Sequence, residues 1–135
     1  MKMSVFQIQK ILGTAFIVAG IGKFSKIIEN PFKTLGIGHA ANINSILEPY
    51  SNWVMTNDDF IIALVGLTMI STGLVQLLNL KFVILVSLIQ LLMLACFVVF
   101  LHRAIPMIFM IDGIFVLGIL TLIRQKLTEV KGLNI

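Results

Sequence analysis

Asp112 lies in the last of four hydrophobic runs with apolar neighbours on both sides, and its type and position call for an explanation. An ionised carboxylate among lipid chains is costly unless it faces protein and is paired. Lys23, near the far end of the first run, is the expected partner, because helices that alternate in direction bring these two residues to similar depth. His102 and Arg103 stand at the same rim, and His39 in the connection after the first run is placed above them. Such a cluster at the mouth of a bundle has two uses: a carboxylate near a histidine relays protons, and a lysine or arginine contacts the polar head of a lipophilic molecule. A purely structural ion pair explains Lys23 and Asp112 equally well, since burial demands pairing in either case. No catalytic residue can be assigned. No metal is expected, because two histidines fall short of the three protein ligands usual for a catalytic zinc. Cys96 is the single cysteine, which excludes an internal disulfide, a CxxC pair or a cysteine-based zinc site, and it is expected to be a small buried apolar side chain.

Other polar residues recur at helical spacing. Thr68, Thr72, Gln76 and Asn79 form a stripe on the second run, while Ser87 and Gln90 lie less than a turn apart on the third. Hydrogen bonding between helices is the expected role. Gly13 and Gly20, and likewise Gly66 and Gly73, repeat along one helix face, a spacing that permits close helix packing or leaves room for a flat ligand, with packing preferred. Gly20-Ile21-Gly22 falls inside an apolar helix rather than after a strand, so it does not open a dinucleotide-binding turn. The chain has no internal repeat, low-complexity tract or phosphate-binding glycine loop.

The elements that must position these residues follow from composition. Of 135 residues 59% are hydrophobic and only 12% charged, and the mean hydropathy is +1.06, which makes lipid the natural solvent for a single all-helical domain. Spans of roughly 20 apolar residues are needed to cross a bilayer. Four are predicted, at about Phe6 to Ile28, Phe60 to Leu80, Phe82 to His102 and Ile105 to Leu122. Each must be helical, because backbone groups in lipid have no water to bond. The very short second and third links imply an integral membrane bundle of up-down-up-down topology. Pro106 is expected in the first turn of the last helix, and Asn57, Asp58 and Asp59 offer capping oxygens to the second. The net charge of +4 comes from lysines and arginines scattered between apolar runs, which excludes a nucleic-acid surface and reads as a topology signal.

Lys2, Lys10, Lys81, Arg124, Lys126 and Lys131 fall on the side of the termini, and Lys23, Lys26, Lys33 and Arg103 on the other together with Glu29, Glu48, Asp58 and Asp59. The positive-inside rule therefore places both termini in the cytoplasm. The first run lacks a small-x-small cleavage site and is read as a retained span rather than a signal peptide. The long outer connection, residues 29–57, is too apolar for disorder. Ile46, Leu47, Tyr50, Trp53 and Val54 recur at helical spacing, Pro49 is expected to interrupt a regular helix, and the aromatic pair favours the headgroup region. The segment is read as lying along the interface, either covering the bundle mouth or anchoring in lipid.

The first run, Leu12-Gly13-Thr14-Ala15-Phe16-Ile17-Val18-Ala19-Gly20-Ile21-Gly22-Lys23-Phe24, resembles the opening of the DoxX-like family, in which a glycine-rich helix ends in a lysine and an aromatic or aliphatic residue. The resemblance spans roughly residues 8 to 124. It implies a small four-helix protein of the inner membrane with a longer first outer connection, and Asp112 matches an aspartate often found early in the fourth helix. The family includes subunits associated with quinone-linked oxidoreduction, and its distant relatives include thiol-redox proteins, but the lone Cys96 disfavours a dithiol mechanism here.

Two functions follow as expectations. The first is an accessory or anchoring subunit of a membrane redox complex, bound to another membrane protein or to copies of itself and without independent catalysis. The second is a bundle that binds a quinone or lipid through Lys23, Asp112, Arg103, His102 and His39. No electron carrier is encoded: a cysteine set for an iron–sulfur cluster and a dinucleotide fingerprint are both missing. Transport is a weaker third reading, since no row of charges marks an ion path.

Overall fold

The computed structural model describes residues 4–25, 30–79 and 81–133. Lys2, Lys26, Ile28, Glu29 and Leu80, which enter the expected helix ends and charge balance, lie outside the described residues. Among the described residues the chain is all-helical, with α1 (Val5–Ser25), α2 (Pro31–Asn42), α3 (Glu48–Thr56), α4 (Asp58–Leu77), α5 (Val83–Leu101) and α6 (Ile108–Leu133). Four of these, α1, α4, α5 and α6, are long and apolar enough to cross a membrane.

Local chemistry explains the ends. Ser4 and Gln7 form a capping box at the start of α1: the Ser4 hydroxyl accepts from the Gln7 amide at 3.2 Å, and the Gln7 side chain accepts from the Ser4 amide at 2.9 Å. Three expectations are corrected. Pro106 precedes α6 in a turn, where the Ile105 and Pro106 carbonyls accept from Ile108 and Phe109, so the helix begins two residues later than the proline. Asn57 does not cap α4 with its side chain; its Nδ2 instead donates to the Trp53 carbonyl at 2.8 Å and closes α3. The last helix also runs well past Leu122. The apolar run ends there, but the helix continues through a charged turn in which the Thr128 hydroxyl donates to the Arg124 carbonyl and Lys126 lies 3.7 Å from Glu129.

The connection expected as a long loop holds two short helices. Asn30 caps α2 by accepting from the Lys33 amide at 3.4 Å, and Pro31 occupies the first turn. Pro49 likewise sits in the first turn of α3, where a missing N–H costs nothing, so it starts a helix rather than interrupting one. Asn44, with φ of 61°, makes the turn between the two. The hairpin rests on the end of α5: Asn42 Nδ2 donates to the Phe100 carbonyl at 2.9 Å, and the Tyr50 and Phe100 rings meet edge to face at 5.9 Å.

The tightest seam joins α1 to α4. A Cβ built on Gly13 would lie 2.7 Å from the Gly73 carbonyl oxygen, and one on Gly20 would lie 2.9 Å from the Gly66 carbonyl oxygen. Residue numbers rise on one helix as they fall on the other, so the two run antiparallel with backbones in direct contact. On the other flank of α1, Phe16 meets Phe115 edge to face at 5.7 Å, and Leu12 fills the space beside Gly118 of α6. Leu12, Phe16, Met69, Val83, Leu94, Ile119 and Leu122 form the buried core between these seams.

Candidate functional site

At the end of the bundle reached by the C-terminal part of α1, Asp112 is buried, with 6% of its surface exposed, and its Oδ2 atom has no hydrogen-bond partner. Lys23 is half-buried within electrostatic reach of Asp112, and its Nζ lies 5.9 Å from the centre of the Phe97 ring. A carboxylate on α6, an ammonium on α1 and an aromatic ring on α5 therefore share one region. Helix periodicity turns Asp112 inward: it lies one turn before the half-buried Phe115 and two turns before the fully buried Ile119 on the same face of α6.

Of the other three polar candidates, the two histidines are engaged elsewhere. His39 Nδ1 lies 2.7 Å from Ser51 Oγ, tying α2 to α3. His102 Nδ1 lies 3.0 Å from both the Val98 and Val99 carbonyls at the end of α5, so as a donor it caps that helix, and its ring tilts toward Phe109. Arg103 is exposed in the turn that follows. Among the described residues no three His, Cys, Asp or Glu side chains gather as a metal site would require. Cys96 is exposed on the surface of α5 rather than buried, because the opposite face of that helix already carries Ser87, Gln90 and Leu94 inward. Burial pushes the Tyr50 hydroxyl pKa above its ordinary value, with Cys96 acting in the same direction.

The polar stripe on the second run forms a buried network across α4 and α5. Gln76 Nε2 donates to Gln90 Oε1 at 2.7 Å and to Ser87 Oγ at 3.3 Å. Gln90 Nε2 donates to Gln76 Oε1 at 3.2 Å and to Thr72 Oγ1 at 3.1 Å. Both side-chain oxygens and both amide nitrogens are used, which makes this a satisfied structural clamp rather than an open site.

Sequence reasoning overlooked Gln9, Asn42 and Gln125. Gln9 is 1% exposed and Asn42 is fully buried, and each of the three has a buried side-chain oxygen without a partner. A signal did exist for Gln9, an isolated amide in an apolar run, and it was the same kind of signal that drew attention to Asp112.

Residues 6–133 match the family described as "Family of unknown function (DUF6041)". The chain is also 34% identical over 119 residues to a protein named Oxidoreductase PigB from Serratia sp. (strain ATCC 39006), an alignment covering 88% of this chain and 18% of that protein. The chain thus spans about a fifth of the length of this relative. No solved structure matches.

Proposed function

The chain belongs to the family of unknown function DUF6041, and we propose that it is an integral membrane module that anchors or assists an oxidoreductase. The observation that carries this reading is the partial match: a bundle with four apolar helices corresponds to only 18% of a longer protein that bears the name oxidoreductase. In that relative the module and the remaining sequence are one chain. For this chain the bundle contributes the membrane address, and the oxidoreductase it serves supplies the chemistry. The resemblance to DoxX-like proteins supports the same assignment. The four spans alternate in direction across the inner membrane, with both termini on the cytoplasmic side in accord with the basic residues near them.

The test is extraction from native membranes under mild conditions followed by native mass spectrometry. A flavin- or nicotinamide-binding protein at fixed stoichiometry is the expected result, and a monomer or simple homo-oligomer without a partner would overturn the assignment.

A second reading is favoured by the unpartnered Oδ2 of Asp112: the region between α1, α5 and α6 holds the polar head of a quinone or lipid, with Asp112 and Lys23 as its contacts. Asp112→Asn and Lys23→Ala proteins that fold normally and keep native quinone and lipid binding would exclude it.

A further inference from the structure

Every buried side-chain polar atom without a partner among the described residues is an acceptor oxygen: Gln9 Oε1, Asn42 Oδ1, Asp112 Oδ2 and Gln125 Oε1. Two of these, Gln9 and Gln125, lie at the opposite end of the bundle from Asp112, where α1 begins and α6 leaves the apolar run. We propose that this end is a binding site for the neutral, hydroxyl-bearing head of a lipophilic molecule, seated between α1 and α6.

The amide of Gln9 is committed to one orientation. Its Nε2 donates to the Gln76 carbonyl at 2.7 Å and to Asn79 Oδ1 at 2.9 Å, so a flip that satisfied the oxygen would lose both bonds. Asn79 is held at φ of 52°, a left-handed conformation uncommon for a non-glycine residue, and its Oδ1 also accepts from Lys126 Nζ at 3.2 Å. Gln9 on α1 and Lys126 on α6 are therefore tied through a single atom of the α4–α5 link, and Gln125 is the neighbour of Lys126. Gln125 lines a groove of about 420 Å³ between the two helices, together with Val5, Thr121, Arg124, Thr128 and Glu129. The hydroxyls of Thr121 and Thr128 already donate to the Leu117 and Arg124 carbonyls, so they add acceptor lone pairs and no donor.

Buried acceptors left unmet are costly, and a ligand that brings donors removes the penalty. The charge around the groove selects among donors. Arg124 and Glu129 both border it and Lys126, 3.7 Å from Glu129, stands beside it, so the local charge is net positive, which disfavours an ammonium group and leaves the hydroxyl as the matching chemistry. A glycerol-type lipid head and a hydroquinone both present that group. This assignment does not rest on an oxidoreductase partner, and the purified chain alone tests it.

The chain is reconstituted in phosphatidylcholine nanodiscs, whose head group carries no hydroxyl. Binding of a short monoacylglycerol is compared with that of its di-O-methyl ether, and binding of a short-chain hydroquinone with that of its dimethyl ether. For one of the two pairs the hydroxyl form is expected to bind about tenfold or more tightly than the ether, one tenfold step for each 1.4 kcal/mol of added hydrogen bonding. The pair that shows the difference identifies the lipid or the quinol as the source. Gln125→Leu and Gln9→Leu should each erase about tenfold of the preference. If Gln9→Leu fails to fold, Gln125→Leu still decides, because the oxygen removed has no partner within the protein. Equal binding of hydroxyl and ether forms in both pairs, or a preference that survives Gln125→Leu, overturns the proposal.

Discussion

The two seams that α1 makes, with α4 on one side and α6 on the other, are built on opposite principles. Against α4 the contact is backbone on backbone at Gly13 with Gly73 and Gly20 with Gly66, with no room for even one added methyl group. Against α6 the contact is made by larger side chains, Leu12, Phe16 and Phe115, and buried oxygens on that helix, Asp112 Oδ2 and Gln125 Oε1, are left without partners. The burial agrees: 33% of the apolar window of α1 is covered by protein, against 17% for α6. A bundle in lipid gains little from apolar contact between helices, so close van der Waals packing and interhelical hydrogen bonds must hold it together. The α1–α4 seam and the Gln76–Gln90 clamp supply both, whereas α6 carries two buried oxygens that no hydrogen bond meets.

This contrast can be broken by substitution, with thermal unfolding in detergent, read by Trp53 fluorescence, as the common measurement. The largest effect is expected at the rigid seam. Gly13→Ala places a Cβ 2.7 Å from the Gly73 carbonyl oxygen, and the backbone rather than a flexible side chain must yield, at a cost of about 3 kcal/mol. Gly73→Leu should abolish the folded species. Wild-type unfolding of Gly13→Ala would show that the seam is not rigid.

Next comes the clamp. Gln90→Leu leaves Gln76 Oε1 without its donor while Thr72 keeps its bond to the Thr68 carbonyl, and a loss of about 1–2 kcal/mol is expected, near the upper end for polar contacts between membrane helices.

On the α6 side the effects shrink. Asp112→Asn should change stability by less than about 1 kcal/mol, whereas removing one partner of a buried ion pair on which folding depended would cost about 3–5 kcal/mol. A loss of that larger size would make the Lys23–Asp112 region structural. The smallest effect is expected for Gly118→Ala. Its Cβ would meet only the end of the Leu12 side chain at 3.3 Å, and the gain in helix propensity of up to about 1 kcal/mol offsets the adjustment, so the midpoint should hardly move.

Much of this was legible from residue types. Long apolar runs can only be helices in lipid, so the four long helices follow from hydropathy and length. The polar stripe of Thr72 and Gln76 predicted interhelical bonds, and those bonds run to Ser87 and Gln90. The helices of the outer connection were harder to read. Pro49 is a breaker inside a helix and a good starter at its first turn, and only the position of the chain ends decides which rule applies. The polar cluster at the mouth was drawn from residues that share a depth. Depth does not fix direction, and His39 turns to Ser51 while His102 turns back on its own helix.

The sequence by itself determined the class of the protein: an all-helical chain whose four longest helices suit a bilayer, because composition, run length and backbone hydrogen bonding leave no alternative. Only the tertiary structure decided which polar groups are satisfied. Hydrogen bonding depends on distances of about 3 Å between atoms far apart in the chain. No spacing rule along one helix could reveal that Gln76 meets Gln90 with every polar atom used, while Gln9, Gln125 and Asp112 each bury an oxygen that is still unmet.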